Sequence, residues 1–108
     1  MEFDFYQKEA VKNKVYGYGQ AVVYPALGLA GETGEVVDKI KKVLRDNSGE
    51  FSFERRLEIA RELGDVLWYC AALAEDMELS LDIIAEMNLD KIRSRRARNK
   101  VHGEGDNR

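Results

Sequence analysis

The sequence predicts an all-α protein, folded as a small antiparallel four-helix bundle in a single domain. Three observations favour this class. Apolar residues recur at intervals of three and four, and no segment shows the strict alternation that is typical of a strand. The chain has one proline and nine glycines, and no glycine between Gly64 and Gly103, which leaves few turns for an all-β fold. A length of 108 residues is enough for one hydrophobic core.

The first two helices are bounded by capping and turn residues. The first is predicted to begin at Asp4, whose carboxylate can cap the following turn, with Gln7 completing a capping-box pattern, and to continue to Val15. The second is predicted to start near Pro25, because proline suits the first helical turn, and to end at residues 46–49. Its expected apolar stripe contains Leu29, Val36, Ile40, Val43 and Leu44.

Serine residues mark the starts of the other two helices. Ser52 is expected to cap the third and longest helix, and Ser80 the fourth. The apolar stripe of the third helix includes Leu57, Ala60, Leu63, Leu67, Cys70, Ala71, Ala74 and Met77, and that of the fourth includes Leu81, Ile84, Met87 and Ile92. Periodicity is lost beyond about Arg96. We therefore divide the chain into a helical domain, residues 1–96, and a basic, glycine-containing tail, residues 97–108.

Composition excludes several classes of chemistry. One cysteine (Cys70) rules out an internal disulfide framework and a cysteine-based zinc site, and one histidine (His102) rules out most histidine-ligated metal chemistry. The start of the chain is acidic and the longest uncharged run contains four glycines, so neither a targeting segment nor a membrane span is expected. The sequence therefore predicts a cytoplasmic protein without a membrane partner.

The net charge of −3 conceals an asymmetry between body and tail. Residues 1–90 carry 10 basic and 18 acidic side chains, whereas residues 91–108 carry 7 basic and 2 acidic ones. A basic end on an acidic body suits an anionic partner such as phosphate or nucleic acid, but the same end can also be solvated or pair with its own body.

Two acidic pairs, Glu32 with Glu35 and Glu62 with Asp65, are the strongest candidates for a functional site. Residues three apart share a helix face, so each pair could hold a divalent cation. Spacing alone also fits a solvated face, because Glu75 and Glu78 show the same interval. However, both candidate pairs lie among apolar and glycine residues, where an uncompensated carboxylate is costly.

Helix geometry predicts that the two pairs face each other. Glu35 precedes the turn at Asp46 by about 16 Å of helix, and Glu62 follows Phe53 by about 14 Å. In an antiparallel hairpin the pairs are therefore level within about one turn. Oxygen ligands without histidine or cysteine favour Mg²⁺ or Mn²⁺.

Further candidate residues share these faces. Helix rotation places Lys39 with the first acidic pair and Tyr69 with the second. Asn88, Lys91 and Arg95 fall on one face of the fourth helix. A cation and an aromatic ring beside paired carboxylates suit a phosphorylated substrate bound together with Mg²⁺.

The acidic motifs resemble those of the MazG-type all-α nucleoside triphosphate pyrophosphohydrolases. Residues 28–36 (GLAGETGEV) and 62–69 (ELGDVLWY) match the family signature, Glu-x-x-Glu followed after a variable gap by Glu-x-x-Asp. The resemblance extends to Asn88 and Lys91 and to residues 103–108 (GEGDNR), an ending similar to that of short single-domain members, including phage-encoded ones.

The resemblance implies Mg²⁺-dependent hydrolysis of a nucleoside triphosphate between the α and β phosphates, with Mn²⁺ as a possible substitute. The implied metal ligands are Glu32, Glu35, Glu62 and Asp65, and Glu35 would also orient or deprotonate the attacking water. The implied substrate contacts are phosphate oxygens for Lys39, Lys91 and Arg95, and sugar or base for Tyr69 and Asn88. The family usually forms dimers or tetramers, so a homo-oligomer is expected, and nucleic acid is not expected as a partner.

Two other readings stay open. One is a non-catalytic helical module that binds nucleic acid or protein through the basic tail. The other keeps the site but restricts the substrate, to dUTP, dCTP or an alarmone-type nucleotide. No specificity residue is evident in the first helix, so the base is undetermined.

Overall fold

The computed structural model describes all 108 residues and contains four α-helices and no strand, which confirms the all-α class. Helix α1 spans Phe3–Ala10, α2 spans Val23–Asp46, α3 spans Phe53–Asp76 and α4 spans Leu81–Ala97. Two 3-10 turns, Val11–Asn13 and Tyr18–Gln20, lie between α1 and α2. None of the helices combines the length and apolar character that crossing a membrane requires.

The caps of α3 and α4 are those that the sequence predicts. The Ser52 hydroxyl accepts a hydrogen bond from the Arg55 N–H at 3.3 Å, and the Ser80 hydroxyl accepts one from the Ile83 N–H at 3.3 Å. Helix α2 begins at Val23, so Pro25 lies in its first turn, where a missing N–H leaves no hydrogen bond unmade.

The predicted cap of α1 is wrong. The helix begins at Phe3, with Glu2 as its N-cap and no side-chain cap, so Asp4 lies inside the first turn. The Asp4 carboxylate instead accepts hydrogen bonds from the Ser80 hydroxyl at 2.6 Å and the Asp82 N–H at 3.4 Å. Asp4 therefore helps to cap α4, because packing brings the starts of the two helices together.

Gln7 also forms hydrogen bonds with residues that are distant in the chain, and not within a capping box. Its amide nitrogen donates to the Leu79 carbonyl at 3.0 Å and the Ala71 carbonyl at 3.4 Å, and its amide oxygen accepts from the Leu81 N–H at 2.8 Å. The side chain is buried, and it ties α1 to the connection between α3 and α4.

Helix α1 ends earlier than the predicted Val15. The indole N–H of Trp68 donates to the Ala10 carbonyl at 3.0 Å, the carbonyl that the Lys14 N–H would need to continue the helix. The Lys14 N–H bonds to the Val11 carbonyl instead, which closes a 3-10 turn. Trp68 therefore acts as a core and capping residue.

Helices α2 and α3 form an antiparallel hairpin, which is the main packing unit of the fold. Helix α1 packs on α3, and α4 packs on α1 and α3. The small core where these three helices meet contains Ala10, Ala71 and Leu81. The groove between α2 and α3 is therefore framed by only two helices over most of its length.

The single chain leaves much apolar surface open. Only nine of 108 residues are buried, and the accessible surface is 8040 Å². A compact monomer of 12.3 kDa is expected to expose about 6,100 Å². Several predicted core residues are exposed in the single chain, namely Leu44, Leu57, Leu63, Leu67, Met77, Met87 and Ile92.

Candidate metal centre

Three carboxylates converge between α2 and α3. Each of Glu32, Glu62 and Asp65 offers one oxygen, and these oxygens lie within 4.8 Å of one another. The first two side chains are half-buried, and Asp65 is exposed. This is the spacing of oxygens that can share one hard divalent cation.

The helical hairpin positions the three residues at one level. Glu32 precedes the end of α2 by about 21 Å of helix, whereas Glu62 and Asp65 follow the start of α3 by about 14 and 18 Å. The antiparallel direction of the helices brings these levels together, within about one turn. Because Glu62 and Asp65 are three residues apart, they present both carboxylates on one face.

Electrostatic repulsion marks the site. Burial raises the pKa of the Glu32 carboxyl, and the charges of Asp65, Glu62 and Glu35, in that order, raise it further. The ionised form is therefore disfavoured in the absence of a counter-ion. A divalent cation among these oxygens would compensate both effects, so the donor set fits a hard metal ion.

Glu35 lies outside the three-oxygen cluster. Its side chain is exposed, and it is the weakest of the three carboxylates that act on Glu32. Glu35 still shares the face of Glu32, one helical turn further along α2. The structure therefore brings together three of the four predicted ligands and leaves Glu35 at the edge of the site.

Tyr69 lies one turn from Asp65 on α3, and Lys39 lies about two turns from Glu32 on α2. Lys39 is half-buried one turn beyond Glu35, and it has no carboxylate partner in the chain, although its neighbours Lys41 and Lys42 both pair with Asp38. The ring of Tyr69 lies against Gly28, and burial, the Tyr24 phenol and the nearby Glu32 carboxylate raise the pKa of Tyr69.

Two further tyrosines continue the aromatic surface away from the cluster. The rings of Tyr16 and Tyr24 are stacked, with centroids 4.8 Å apart and planes at 26°. Nothing in the sequence singles out Asp76 as the partner of Tyr16, because its hydrogen bonds to Tyr16 and Val22 join residues more than 50 positions apart in the chain. The only available signal is the group of tyrosines in the uncharged segment before α2.

The predicted residues of α4 hold the C-terminal segment. Lys91 pairs with Asp106 at 3.2 Å, and Arg95 donates to the Asp106 carboxylate at 3.3 Å and to the Asp106 carbonyl at 2.9 Å. Arg95 is buried and its Nε has no partner. Asn88 is exposed and lines an open cleft with Lys91 and Asp106. The single chain therefore brings these cations to its own tail and not to the carboxylate cluster.

Fold and site together define a class: an all-α protein whose central hairpin carries an acidic site suited to a hard divalent cation. A family model described as "MazG nucleotide pyrophosphohydrolase domain" matches residues 25–99. The "Gene 37 protein" of Mycobacterium phage L5 is 40% identical over 114 residues, which cover 100% of this chain and 100% of that protein. No solved structure matches the chain.

The chain therefore belongs to the MazG nucleotide pyrophosphohydrolase family. Membership indicates a divalent-metal-dependent hydrolase that acts on nucleoside triphosphates, and the acidic cluster is a site where such a metal could bind.

Proposed function

We propose that this protein is a Mg²⁺-dependent pyrophosphohydrolase that cleaves ribo- or deoxyribonucleoside triphosphates to the monophosphate and pyrophosphate. The observation that carries the proposal is the group of three carboxylate oxygens within 4.8 Å on two helices. Family membership supplies the reaction type. The expected site of this activity is the cytoplasm.

Glu32, Glu62 and Asp65 would hold the metal ion, with Glu35 as a further ligand from the edge of the site. Mg²⁺ prefers oxygen ligands and usually keeps several waters, so carboxylates of this set would share its coordination shell with waters and a polyphosphate. When bound, the ion would neutralise charge on the polyphosphate. Mn²⁺ has the same ligand preference and is the expected substitute.

Glu35 is the proposed general base. Its exposed carboxylate, one turn from Glu32, is free to orient a water and accept its proton. In the reaction the water oxygen bonds to the α phosphorus, the bond from that phosphorus to the bridging oxygen breaks, and pyrophosphate leaves. Lys39, which has no partner in the chain, would neutralise phosphate oxygens.

Tyr69, beside the cluster in the same chain, would contact sugar or base. The remaining proposed contacts lie on α4 and require a second copy of the chain: Lys91 and Arg95 would neutralise phosphate, and Asn88 would contact sugar or base. However, α4 packs on α1 and α3, whereas the cluster lies between α2 and α3. We propose a homodimer or homotetramer in which the apolar stripe of α3, with exposed Phe53, Leu57 and Leu67, is covered by another copy.

The central experiment measures pyrophosphate release from a panel of ribo- and deoxyribonucleoside triphosphates, with Mg²⁺, with Mn²⁺ and with EDTA. Asp65→Asn should reduce turnover by at least about a thousandfold, and Glu35→Gln should reduce kcat by about a hundredfold or more while metal binding persists. Glu54→Gln, an exposed acid on α3, is the matched control and should be unaffected. Full activity of Asp65→Asn would exclude this site.

The assembly is tested separately by light scattering. Leu57→Lys places a charge in the exposed stripe of α3 and should convert the oligomer to a monomer. Lys12→Ala, an exposed position outside this stripe, is the control. A wild-type monomer at micromolar concentration would refute the proposed assembly.

The same panel addresses the alternative substrates. Cleavage restricted to dUTP, to dCTP or to an alarmone-type nucleotide would leave the assignment of the site unchanged and would restrict the substrate range. Nucleic-acid binding by the tail, residues 97–108, is the alternative of another class. It predicts salt-dependent binding that is lost when the tail is removed, together with no hydrolysis of any nucleotide.

A further inference from the structure

The carboxylate of Asp76, the last residue of α3, gathers three donors from the segment that precedes α2. The Lys14 ammonium donates to Oδ1 at 2.9 Å, and the Tyr16 hydroxyl and the Val22 N–H donate to Oδ2 at 2.8 and 2.9 Å. The Asp76 side chain is only 2% exposed. Because all three donors belong to residues 14–22, this carboxylate anchors that segment to the end of α3.

The backbone of the segment is strained at the point where Asp76 holds it. Val22 has φ 68° and ψ −55°, and the Val23 N–H bonds to the Ala21 carbonyl at 2.7 Å, which together form a γ-turn. A β-branched residue rarely adopts a positive φ, and such a conformation persists only where surrounding contacts impose it. The hydrogen bond from the Val22 N–H to Asp76 is such a contact.

The anchored segment contains Tyr16, which is the first of three neighbouring tyrosines, followed by Tyr24 and Tyr69. Tyr16 stacks on Tyr24, and the Tyr69 ring lies against Gly28, one helical turn beyond Tyr24 on α2. Tyr69 is one helical turn, about 6 Å, from Asp65 in the acidic cluster. This row of tyrosines therefore runs along the α2–α3 groove from Asp76 to the carboxylates.

We propose that Asp76 is a positioning residue, which holds residues 14–22 so that Tyr16 and Tyr24 form an aromatic wall beside the acidic cluster. The wall suits the aromatic base of a nucleotide, because all of the nucleobases can stack on tyrosine rings. This inference rests on the proposed function, and it assigns Asp76 to substrate binding through Tyr16, with no direct contact to substrate.

The test distinguishes contacts to the nucleoside from contacts to the phosphates. In Asp76→Ala, KM for the nucleoside triphosphate should rise about tenfold, whereas kcat changes less than about threefold. The inhibition constant of pyrophosphate, which has no base, should stay within about twofold of the wild-type value. Glu75→Gln, an exposed neighbour that lines a surface cleft together with Tyr16 and Asp76, is the control and should match wild type. A parallel rise in the pyrophosphate constant would overturn the proposal.

A double-mutant cycle tests whether Asp76 acts through Tyr16. Tyr16→Ala should raise KM about as much as Asp76→Ala, and the double variant should show no further rise. Asp76→Asn keeps one acceptor oxygen for the Val22 N–H and should restore part of the affinity, which guards against a poorly folded alanine variant. Additive effects of the two single variants would contradict the mechanism.

Amide hydrogen exchange tests the positioning role of Asp76 without a measurement of turnover. If the wild-type protein hydrolyses no nucleotide, the proposed function fails. The positioning role still predicts that amide exchange becomes faster in Asp76→Ala and that the change is confined to residues 14–24. In Glu75→Gln, amide exchange should be the same as in wild type. Unchanged exchange in that segment would refute it.

Discussion

The ring of Tyr69 lies directly on the backbone of Gly28, across the groove between α3 and α2. A Cβ atom on Gly28 would overlap with the Cε1, Cζ and Cδ1 atoms of that ring. Gly28 is therefore required by the neighbouring helix and not by its own backbone conformation. The contact holds Tyr69 between the Tyr16–Tyr24 stack and the acidic cluster, where burial, the Tyr24 phenol and the carboxylates of Glu32 and Asp65 raise the pKa of the Tyr69 phenol.

Replacing Gly28 by alanine should displace the Tyr69 ring. Overpacking of this kind costs about 1–3 kcal/mol, or a fall of several degrees in Tm for a domain of about this size. KM for the nucleotide should rise with it. Gly31→Ala is the matched control, because a Cβ on Gly31 meets nothing within 4 Å and alanine gains up to about 1 kcal/mol of helix propensity. Equal Tm values for the two variants, measured by calorimetry, would contradict the contact.

Replacing Glu32 by glutamine should stabilise the metal-free protein and abolish its response to metal. The change removes a carboxylate that burial and three neighbouring acids disfavour in its ionised form. Because the side chain is only half-buried and the charges are screened, the gain is on the order of 0.5 kcal/mol, about 2–4 °C in Tm. Mg²⁺ at millimolar concentration should raise the Tm of wild type but not of this variant. A metal-induced shift of wild-type size in Glu32→Gln would exclude Glu32 as a ligand.

The stabilisation of the folded protein by Asp76 should be lost at acidic pH. Burial alone would raise the pKa of the Asp76 carboxyl, but the hydrogen bonds from Val22, Lys14 and Tyr16 outweigh it and the pKa lies below its ordinary value of 3.8. A lowered pKa contributes stability that is complete above the ordinary value and is lost as pH falls through the folded-state value. The Tm difference between wild type and Asp76→Asn should therefore be constant above about pH 5 and shrink below about pH 4. A constant difference down to pH 2 would argue against an ionised Asp76.

Removing the Gln7 side chain should destabilise the junction of α1, α3 and α4. In Gln7→Ala the buried Leu81 N–H and the Leu79 carbonyl lose their partners, which costs about 2–4 kcal/mol in total. The measurement is urea denaturation, with exposed Gln20→Ala as the control. A loss below about 0.5 kcal/mol would show that solvent replaces these bonds.

Much of the architecture follows from local rules. The all-α class, the caps at Ser52 and Ser80 and the end of α2 at Asp46 depend on contacts within a few residues. The meeting of Glu32 with Glu62 and Asp65 needs only the helical rise and an antiparallel hairpin, so it too can be predicted from residue counts. The early end of α1 could not, because it depends on the indole of Trp68, 58 residues away.

The amino-acid sequence alone determined the four helices, apart from the two ends of α1, and the height of the acidic residues on the hairpin, since each depends on spacing along one chain segment. Only the tertiary structure decided how far each helix is rotated about its axis, and therefore that Glu35 stands outside the three-oxygen cluster. It also decided the partners of Asp4, Gln7 and Asp76, which lie more than 50 residues away in the chain. Such pairs are set by packing between helices, which no local pattern encodes.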